Sequence, residues 1–305
     1  MSKIVLITGA YGFIGRHTAR WFAQQGWHVI GMGHGSWTRP EWQPWGLTEW
    51  HTCDITLDTL LTYAREPQAI IHCAGSGTVG FSMTHPVQDF QRTVGTTLSV
   101  LEFVRLYANE TKVVYPSSAG VYGVVQSLPI SEIHPLSPVS PYGVHKKIAE
   151  ELCQSYGQHF KVAAIVLRFF SIYGSGLRKQ LLWDACTKLQ NNDTVFSGTG
   201  EEIRDWLHIS DVVTLIEKSL EEATPECPIL NSGSGTGVQV QEVIAQIFES
   251  FGSTNSPIFS GSLRSGDPSQ YVADITKALA LGWQPKKSWR DGIQEYVEWY
   301  KRGAL

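Results

Sequence analysis

The sequence predicts an α/β fold, a doubly wound parallel sheet joined by a smaller, mixed C-terminal lobe. Three observations carry that reading. The chain opens on Ile4, Val5, Leu6 and Ile7, a β-branched apolar run of the kind that is buried on both faces of a parallel sheet. Gly9, Gly12 and Gly15 then punctuate a turn, after which Phe13, Ile14, His17, Ala19, Trp21 and Phe22 read as a helix stopping at Gly26. Short apolar runs recur at 29–32, 69–73, 112–115 and 162–167, separated by amphipathic stretches, and that alternation implies strands covered by helices on both faces.

Between these strands the pattern places a Gly/Pro/Trp-rich loop at 33–49, a short strand near 49–53 and helices at 57–65, 84–107 and 141–156. The long second helix is marked by Val87, Phe90, Val94, Leu98, Leu101 and Val104 at spacings of three and four. From Gly174 the rhythm changes: helices at 181–189, 211–222, 240–251 and 290–301 alternate with short strands at 194–196 and from 229. The expected division is residues 1–173, with segments returning near 203–232, against a second lobe of 174–202 and 233–305.

Composition narrows the class. At 305 residues, 42% hydrophobic and 17% charged, the chain has an ordinary soluble globular balance. Its net charge of -4 gives no reason to expect a nucleic acid or an anionic membrane as partner, and no apolar run has the length of a membrane span. The N-terminus begins directly with a core strand and shows no signal peptide. Five scattered cysteines lack metal-ligand spacing and read as reduced thiols of a cytoplasmic protein, so no metal site is expected. Trp37, Trp42, Trp45 and Trp50 crowd one segment, which suits packing, a cleft cover or a subunit contact.

The glycine turn is the first chemical signal. A strand, a turn at Gly9, Gly12 and Gly15, and a helix opening at Phe13 and Ile14 bring backbone N–H groups and a helix N-terminus against a pyrophosphate, the arrangement of a Rossmann-type dinucleotide site. The second signal is Tyr142 with Lys146, one helical turn apart. A phenol titrates near pH 10, and a neighbouring ammonium favours the phenolate, making Tyr142 a usable acid and base. Ser118 ends a sheet strand on the side where such sheets bind ligands, and is placed to orient the same substrate oxygen.

With these residues in order, the chain resembles the extended short-chain dehydrogenase/reductases that act on nucleotide-linked sugars. The resemblance runs nearly end to end, through TGAYGFIG (8–15), Asp54-Ile55, IIHCAG (70–75), VYPSSAGVYG (114–123), SPYGVHK (140–146), LRFFSIYGSG (167–176), EIRDWLHISDV (202–212), NSGSGTG (231–237) and RSGDP (264–268). It implies Ser118, Tyr142 and Lys146 as the catalytic trio, Asp54 and Ile55 at the adenine, and Ala74 and Gly75 along the cofactor. It further implies a smaller lobe that binds a nucleotide-diphosphate sugar, with Arg204 and Arg264 on the diphosphate and Asp267 at a ribose hydroxyl or as a structural partner. Without the resemblance, Arg204-Asp205 reads as a surface ion pair. The family's pairing of two long helices about a two-fold axis implies a homodimer.

Departures from the pattern refine the expectation. Members using NAD carry an acid at the end of the second strand; this position is Gly33, followed by His34, with Arg39 nearby, a combination that favours NADP over NAD. Ala119-Gly120 stands where dehydratases have Asp-Glu, decarboxylases a glutamate and epimerase-reductases a cysteine. Arg92 and Ser171 replace asparagines, the latter in the sugar pocket. His145 replaces the Ser or Thr before the lysine, as a second acid or an outward-facing helix histidine. What remains is NADPH-dependent reduction of a 4-keto, 6-deoxy sugar nucleotide, with Tyr142 as proton donor. The alternative is an NAD-dependent 4-epimerase of the UDP-glucose type. A non-catalytic dinucleotide-binding protein is the rival outside enzymology.

Overall fold

The computed structural model of the chain describes residues 3–261 and 270–303. Six parallel-paired strands in chain order, β1 (Ile4–Thr8), β2 (His28–Gly33), β3 (Glu49–Thr52), β4 (Ala69–His72), β5 (Lys112–Ser118) and β6 (Ala164–Phe169), form a sheet with Ile229–Ser232 at one edge. The spatial order runs from that edge strand through β6, β5, β4, β1 and β2 to β3. The order reverses at β1, which pairs with both β2 and β4, and the glycine turn leaves the carboxyl end of β1.

Burial explains why these runs are strands. Val5, Leu6, Ile7, Ile70, Ile71, Val114, Ile165, Val166 and Leu167 are all fully buried, so each β-branched side chain is matched against a covered face. Removing a Val, Ile or Leu side chain from water contributes about 1.5–3 kcal/mol. One core lies on the face that joins Leu6, Ile30, Ile70, Val113 and Val166 to Val100, Leu101, Val104, Ala149 and Cys153 of two helices.

Compact packing divides the chain into one unit of 1–123, 134–169 and 213–230, and another of 124–133, 170–212 and 231–305. The boundary thus falls at Phe169/Phe170, the returning segment is 213–230, and 124–133 packs with the second unit. That second unit holds the strand Ile203–His208 between Gly237–Gln239, antiparallel to it, and Ser171–Tyr173, parallel to it.

Several elements differ from the sequence expectation for identifiable reasons. The single helix expected at 84–107 is broken into Val79–Thr84, Pro86–Phe90, a π-turn at Gln91–Gly95 and Thr96–Tyr107. Pro86 has no N–H to continue a helix across His85. Beyond it, the Thr96 and Thr97 hydroxyls donate back to the Arg92 and Thr93 carbonyls at 2.6 and 2.7 Å, which loosens the ladder. In the 33–49 loop a one-turn helix, Arg39–Trp42, starts where the Glu41 carboxylate accepts from the Thr38 N–H at 2.6 Å. The tryptophans of this loop form a packing cluster: the Arg16 guanidinium lies 5.3 Å from the Trp37 and Trp45 rings, and Trp37 meets Tyr11 and Trp50 edge-on.

Candidate active site

The glycine turn has the close backbone approach that a pyrophosphate would fit. Gly9 sits at φ +68°, and a Cβ there would stand 2.6 Å from the Ala74 nitrogen, so β1 and the end of β4 approach through a gap that only glycine leaves. The Gly9 N–H donates to the Met32 carbonyl at 2.7 Å and the Gly12 N–H to the Gly9 carbonyl at 2.9 Å. A Cβ on Gly15 would collide with the Gly9 carbonyl. Helix α1 (Phe13–Gln24) begins after Gly12 with no side-chain cap and no acid in its first turn, so its first N–H groups and partial positive charge face an anion unopposed. Phe13 and Ile14 are its first two residues. These are the features that a dinucleotide's diphosphate needs, and the residues present fit it.

Around that turn the other expected cofactor residues take distinct places. The Ala74 N–H donates to the Thr8 hydroxyl at 3.2 Å, and Gly75 follows at φ +152° on the exposed loop after β4. Ile55 is buried. His34 Nε2 meets Asp54 Oδ1 at 2.7 Å, both side chains about three-quarters exposed at 76% and 74%. Thus the residue after β2 and the residue expected at the adenine bond to each other. Arg39 is exposed at the first position of the one-turn helix.

The trio converges. β5 carries Ser118 at its carboxyl end, and the helix Pro141–Phe160 presents Tyr142 and Lys146 on one face. Ser140 caps that helix by accepting from the Gly143 N–H at 3.2 Å, which sets where its first turn begins. Ser118 Oγ and the Tyr142 ring both border Gly120, 3.4 and 3.5 Å from where a Cβ on it would stand, and the Gly120 N–H donates to Ser118 Oγ at 3.1 Å. Lys146 is only 7% exposed, donates to the Pro116 carbonyl at 2.8 Å and lies 4.8 Å from the Tyr115 ring centroid. Burial pushes its ammonium down to about 8, against the opposing pull of Cys73, Glu150 and Asp89. Burial likewise raises the Tyr142 phenol; the neighbouring Ser118 hydroxyl lowers it, and Asp89 raises it further. A Cβ on Gly120 would lie 3.5 Å from the Tyr142 ring, so residue 120 faces the phenol without offering an acid.

Two groups behind the trio were not singled out in the sequence. Glu150, one turn beyond Lys146, pairs with Arg168 of β6 at 2.7 Å, both 2% exposed. Arg168 also donates to the Tyr122 hydroxyl at 3.0 Å, and the Ser117 hydroxyl donates to Glu150. The spacing 142, 146, 150 was the available signal, since it puts a carboxylate on the catalytic face. Asp89 is the other: fully buried, it accepts from His145 Nδ1 at 2.5 Å. His145 is therefore not an outward-facing helix histidine; it is 11% exposed and turned onto a buried carboxylate.

In the second unit, Ser171 begins the strand Ser171–Tyr173, and Arg204 lies on Ile203–His208, its Nη1 donating to the Ile203 carbonyl at 2.9 Å. The surface ion pair read for Arg204-Asp205 is corrected: Asp205 is fully buried and accepts from the Ser234 hydroxyl and from the Ser234, Gly235 and Ala273 N–H groups. Arg264 and Asp267 lie outside the described residues. Among the described residues, no group of three or more His, Cys, Asp or Glu is placed to hold a metal, and no helix is long and apolar enough to cross a membrane.

Comparison with known proteins agrees with this geometry. A UDP-glucose 4-epimerase of Rhizobium leguminosarum bv. trifolii is 29% identical over 98% of this chain and 98% of its own length. The structure of a UDP-glucose 4-epimerase from Thermotoga maritima with UDP-glucose superposes at a TM-score of 0.90, at 25% identity, covering 99% of this chain and 100% of that one. MoeE5 in complex with UDP-glucose and NAD gives a TM-score of 0.87 at 27% identity, covering 99% of each chain. The model of the NAD dependent epimerase/dehydratase family matches residues 5–233, the stretch that contains the glycine turn and the Ser118–Tyr142–Lys146 trio, and the chain belongs to that family.

Proposed function

We propose that this protein is an NAD-dependent 4-epimerase of a nucleoside-diphosphate sugar, with a UDP-linked hexose as substrate. The observation that carries the reading is the trio together with what stands beside it. Ser118 Oγ and the Tyr142 ring both border residue 120, which is glycine, and Lys146, one helical turn from Tyr142, is buried. Such a site has one proton donor and acceptor at the reacting carbon and no adjacent acid for elimination. UDP-sugar 4-epimerases among the similar proteins support the same reading.

A nicotinamide cofactor held at the glycine turn and the α1 N-terminus would supply the hydride acceptor and donor for oxidation and re-reduction at the sugar's C4. Tyr142, as phenolate, accepts the proton of the C4 hydroxyl and gives it back when the hydroxyl re-forms. Ser118 hydrogen-bonds the same oxygen and keeps it within reach of the phenol. Lys146 stabilises the phenolate and is held in place by Pro116. The α1 N-terminus holds the cofactor's diphosphate. Arg204, with Arg264 as an expectation from sequence alone, would take the sugar diphosphate.

The NADPH-dependent reductase remains the second reading because of one observation: β2 ends at Gly33, which has no carboxylate to repel a 2′-phosphate. The complex of MoeE5 with UDP-glucose and NAD supports NAD as the resident cofactor, while exposed Arg39 is the cation that a 2′-phosphate would meet. Denaturing the purified protein and identifying the released nucleotide separates the two. Stoichiometric NAD, with interconversion of UDP-glucose and UDP-galactose or their relatives, supports the epimerase. An empty protein that consumes NADPH with a 4-keto sugar nucleotide overturns it.

Self-association is part of the proposal. The segments 86–90, 96–107 and 141–160 leave Val87, Phe90, Leu98, Tyr107, Val144 and Phe160 exposed, and a second copy is the proposed cover. Sedimentation of the purified chain as a monomer would remove this part. The cysteines are free, which fits the proposed cytoplasmic location.

A further inference from the structure

Asp89 and His145 form a pair that the reaction above does not use. The Asp89 carboxyl lies on the short helix Pro86–Phe90 and is 0% exposed. One oxygen accepts from His145 Nδ1; the other, Oδ1, is buried without a hydrogen-bond partner. His145 stands between Tyr142 and Lys146 in the helix Pro141–Phe160, with Phe90 edge-on to its ring at 5.4 Å. Burying a half-satisfied carboxylate costs stability that an apolar side chain of similar volume would not. The carboxylate also acts on the catalytic residues, holding both Tyr142 and Lys146 toward their protonated forms.

We propose that Asp89 and His145 are a positioning pair for Tyr142: a buried carboxylate and the imidazole that masks it, together setting how readily the catalytic phenol gives up its proton. The inference rests on Tyr142 acting as the base of the proposed reaction. Asp89 opposes ionisation of the phenol by like charge, and the N–H that His145 donates draws negative charge away from it. The other ionisable groups on elements packed against this helix are accounted for. Glu150 is paired with Arg168, and Glu102 with Arg105 and Tyr156. Arg92 lies over the Phe81 ring. Burial keeps His72, Cys73, Cys153 and Tyr115 neutral near pH 7. Lys147 pairs with Glu151, and the Lys146 ammonium draws the phenol toward the phenolate; Asp89, the buried carboxylate here with no guanidinium or ammonium partner, opposes that pull.

The test is an ultraviolet difference titration of the Tyr142 phenolate in the protein as purified, with the spectrum of Tyr142→Phe subtracted to remove the other tyrosines. Asp89→Asn, which keeps the shape of the side chain, is expected to lower the midpoint by roughly one pH unit. His145→Ala, which strips the N–H donor from the carboxylate, is expected to raise it by a similar amount, and Asp89→Asn/His145→Ala is expected to follow Asp89→Asn. Opposite signs in the two single variants are the signature, since a merely structural role would move both the same way. Midpoints that shift together, or do not shift, overturn the proposal, and Asp89→Asn alone decides it should His145→Ala fail to fold. The reading of the reaction fails separately, when UDP-sugars neither reduce the bound nucleotide nor epimerise, and that result leaves the titration unaffected.

Discussion

Lys146 Nζ donates to the carbonyl of Pro116 at 2.8 Å, a bond between the helix Pro141–Phe160 and a proline of β5. Pro116 has no N–H for the ladder, but its carbonyl is available, and it fixes the ammonium at 7% exposure, one helical turn along from Tyr142. The site thus holds a cation where water cannot solvate it, which is the physical source of its depressed affinity for a proton.

That burial has a pH signature. The folded protein holds the Lys146 ammonium down at about 8, below the ordinary 10.5. Between those values the unfolded chain binds the proton and the folded chain does not, so stability rises with pH across that window. The penalty, about 3 kcal/mol, is complete below pH 8 and gone above 10.5. Chemical denaturation of the wild type and Lys146→Met across this range is expected to move in the wild type's favour as pH rises. A difference independent of pH would mean that the ammonium is solvated after all.

Tyr142→Phe keeps the ring beside Gly120 and removes only the hydroxyl. Turnover with the UDP-sugar should fall by about 10²–10⁴-fold while the nucleotide content of the purified protein stays unchanged. Loss of both would indicate that the hydroxyl holds the fold rather than the proton.

Gly9→Ala should cost about 2–4 kcal/mol and abolish copurifying nucleotide, because the new methyl would enter the gap to Ala74 and the backbone is left-handed. Gly26, also left-handed at φ +79° but with nothing within 4 Å of a Cβ, is the control. Its alanine variant should lose about 1–2 kcal/mol and keep the nucleotide. Urea midpoints and released nucleotide measure both.

Arg168→Met leaves Glu150 charged, buried and without its guanidinium, and is expected to destabilise by about 3–5 kcal/mol. Adding Glu150→Leu should recover most of that loss, since two apolar groups satisfy the interior as well as an ion pair does. Equal instability of the single and double variants, read from denaturant midpoints, would show that Ser117 and Tyr122 depend on the pair for their own placement.

Local pattern was enough wherever local physics decides the outcome. The β-branched run 4–7, the glycines at 9, 12 and 15, and the pair Tyr142/Lys146 each carry their geometry in their spacing, because strand burial, a left-handed turn and a helical face are properties of neighbouring residues. Hence the parallel sheet, the glycine turn that opens α1 and the meeting of Ser118 with Tyr142 at Gly120 were all legible. The strand Ile203–His208 was not, because the charges of Arg204 and Asp205 resemble a surface. The fold buries Asp205 under donors from 234, 235 and 273, and those residues are remote in sequence.

The same reason separates the rest. Residue order alone carried the fold class and the family. Only the tertiary structure decided that His34 is bonded to Asp54, that Glu150 finds Arg168 across the sheet, and that Asp89 lies beneath His145. Each of these depends on residues between 18 and 56 positions apart meeting, and the two buried pairs meet in an interior where charge must be paired. The electrostatic surroundings of Tyr142 are therefore set by packing, not by the motif that contains it.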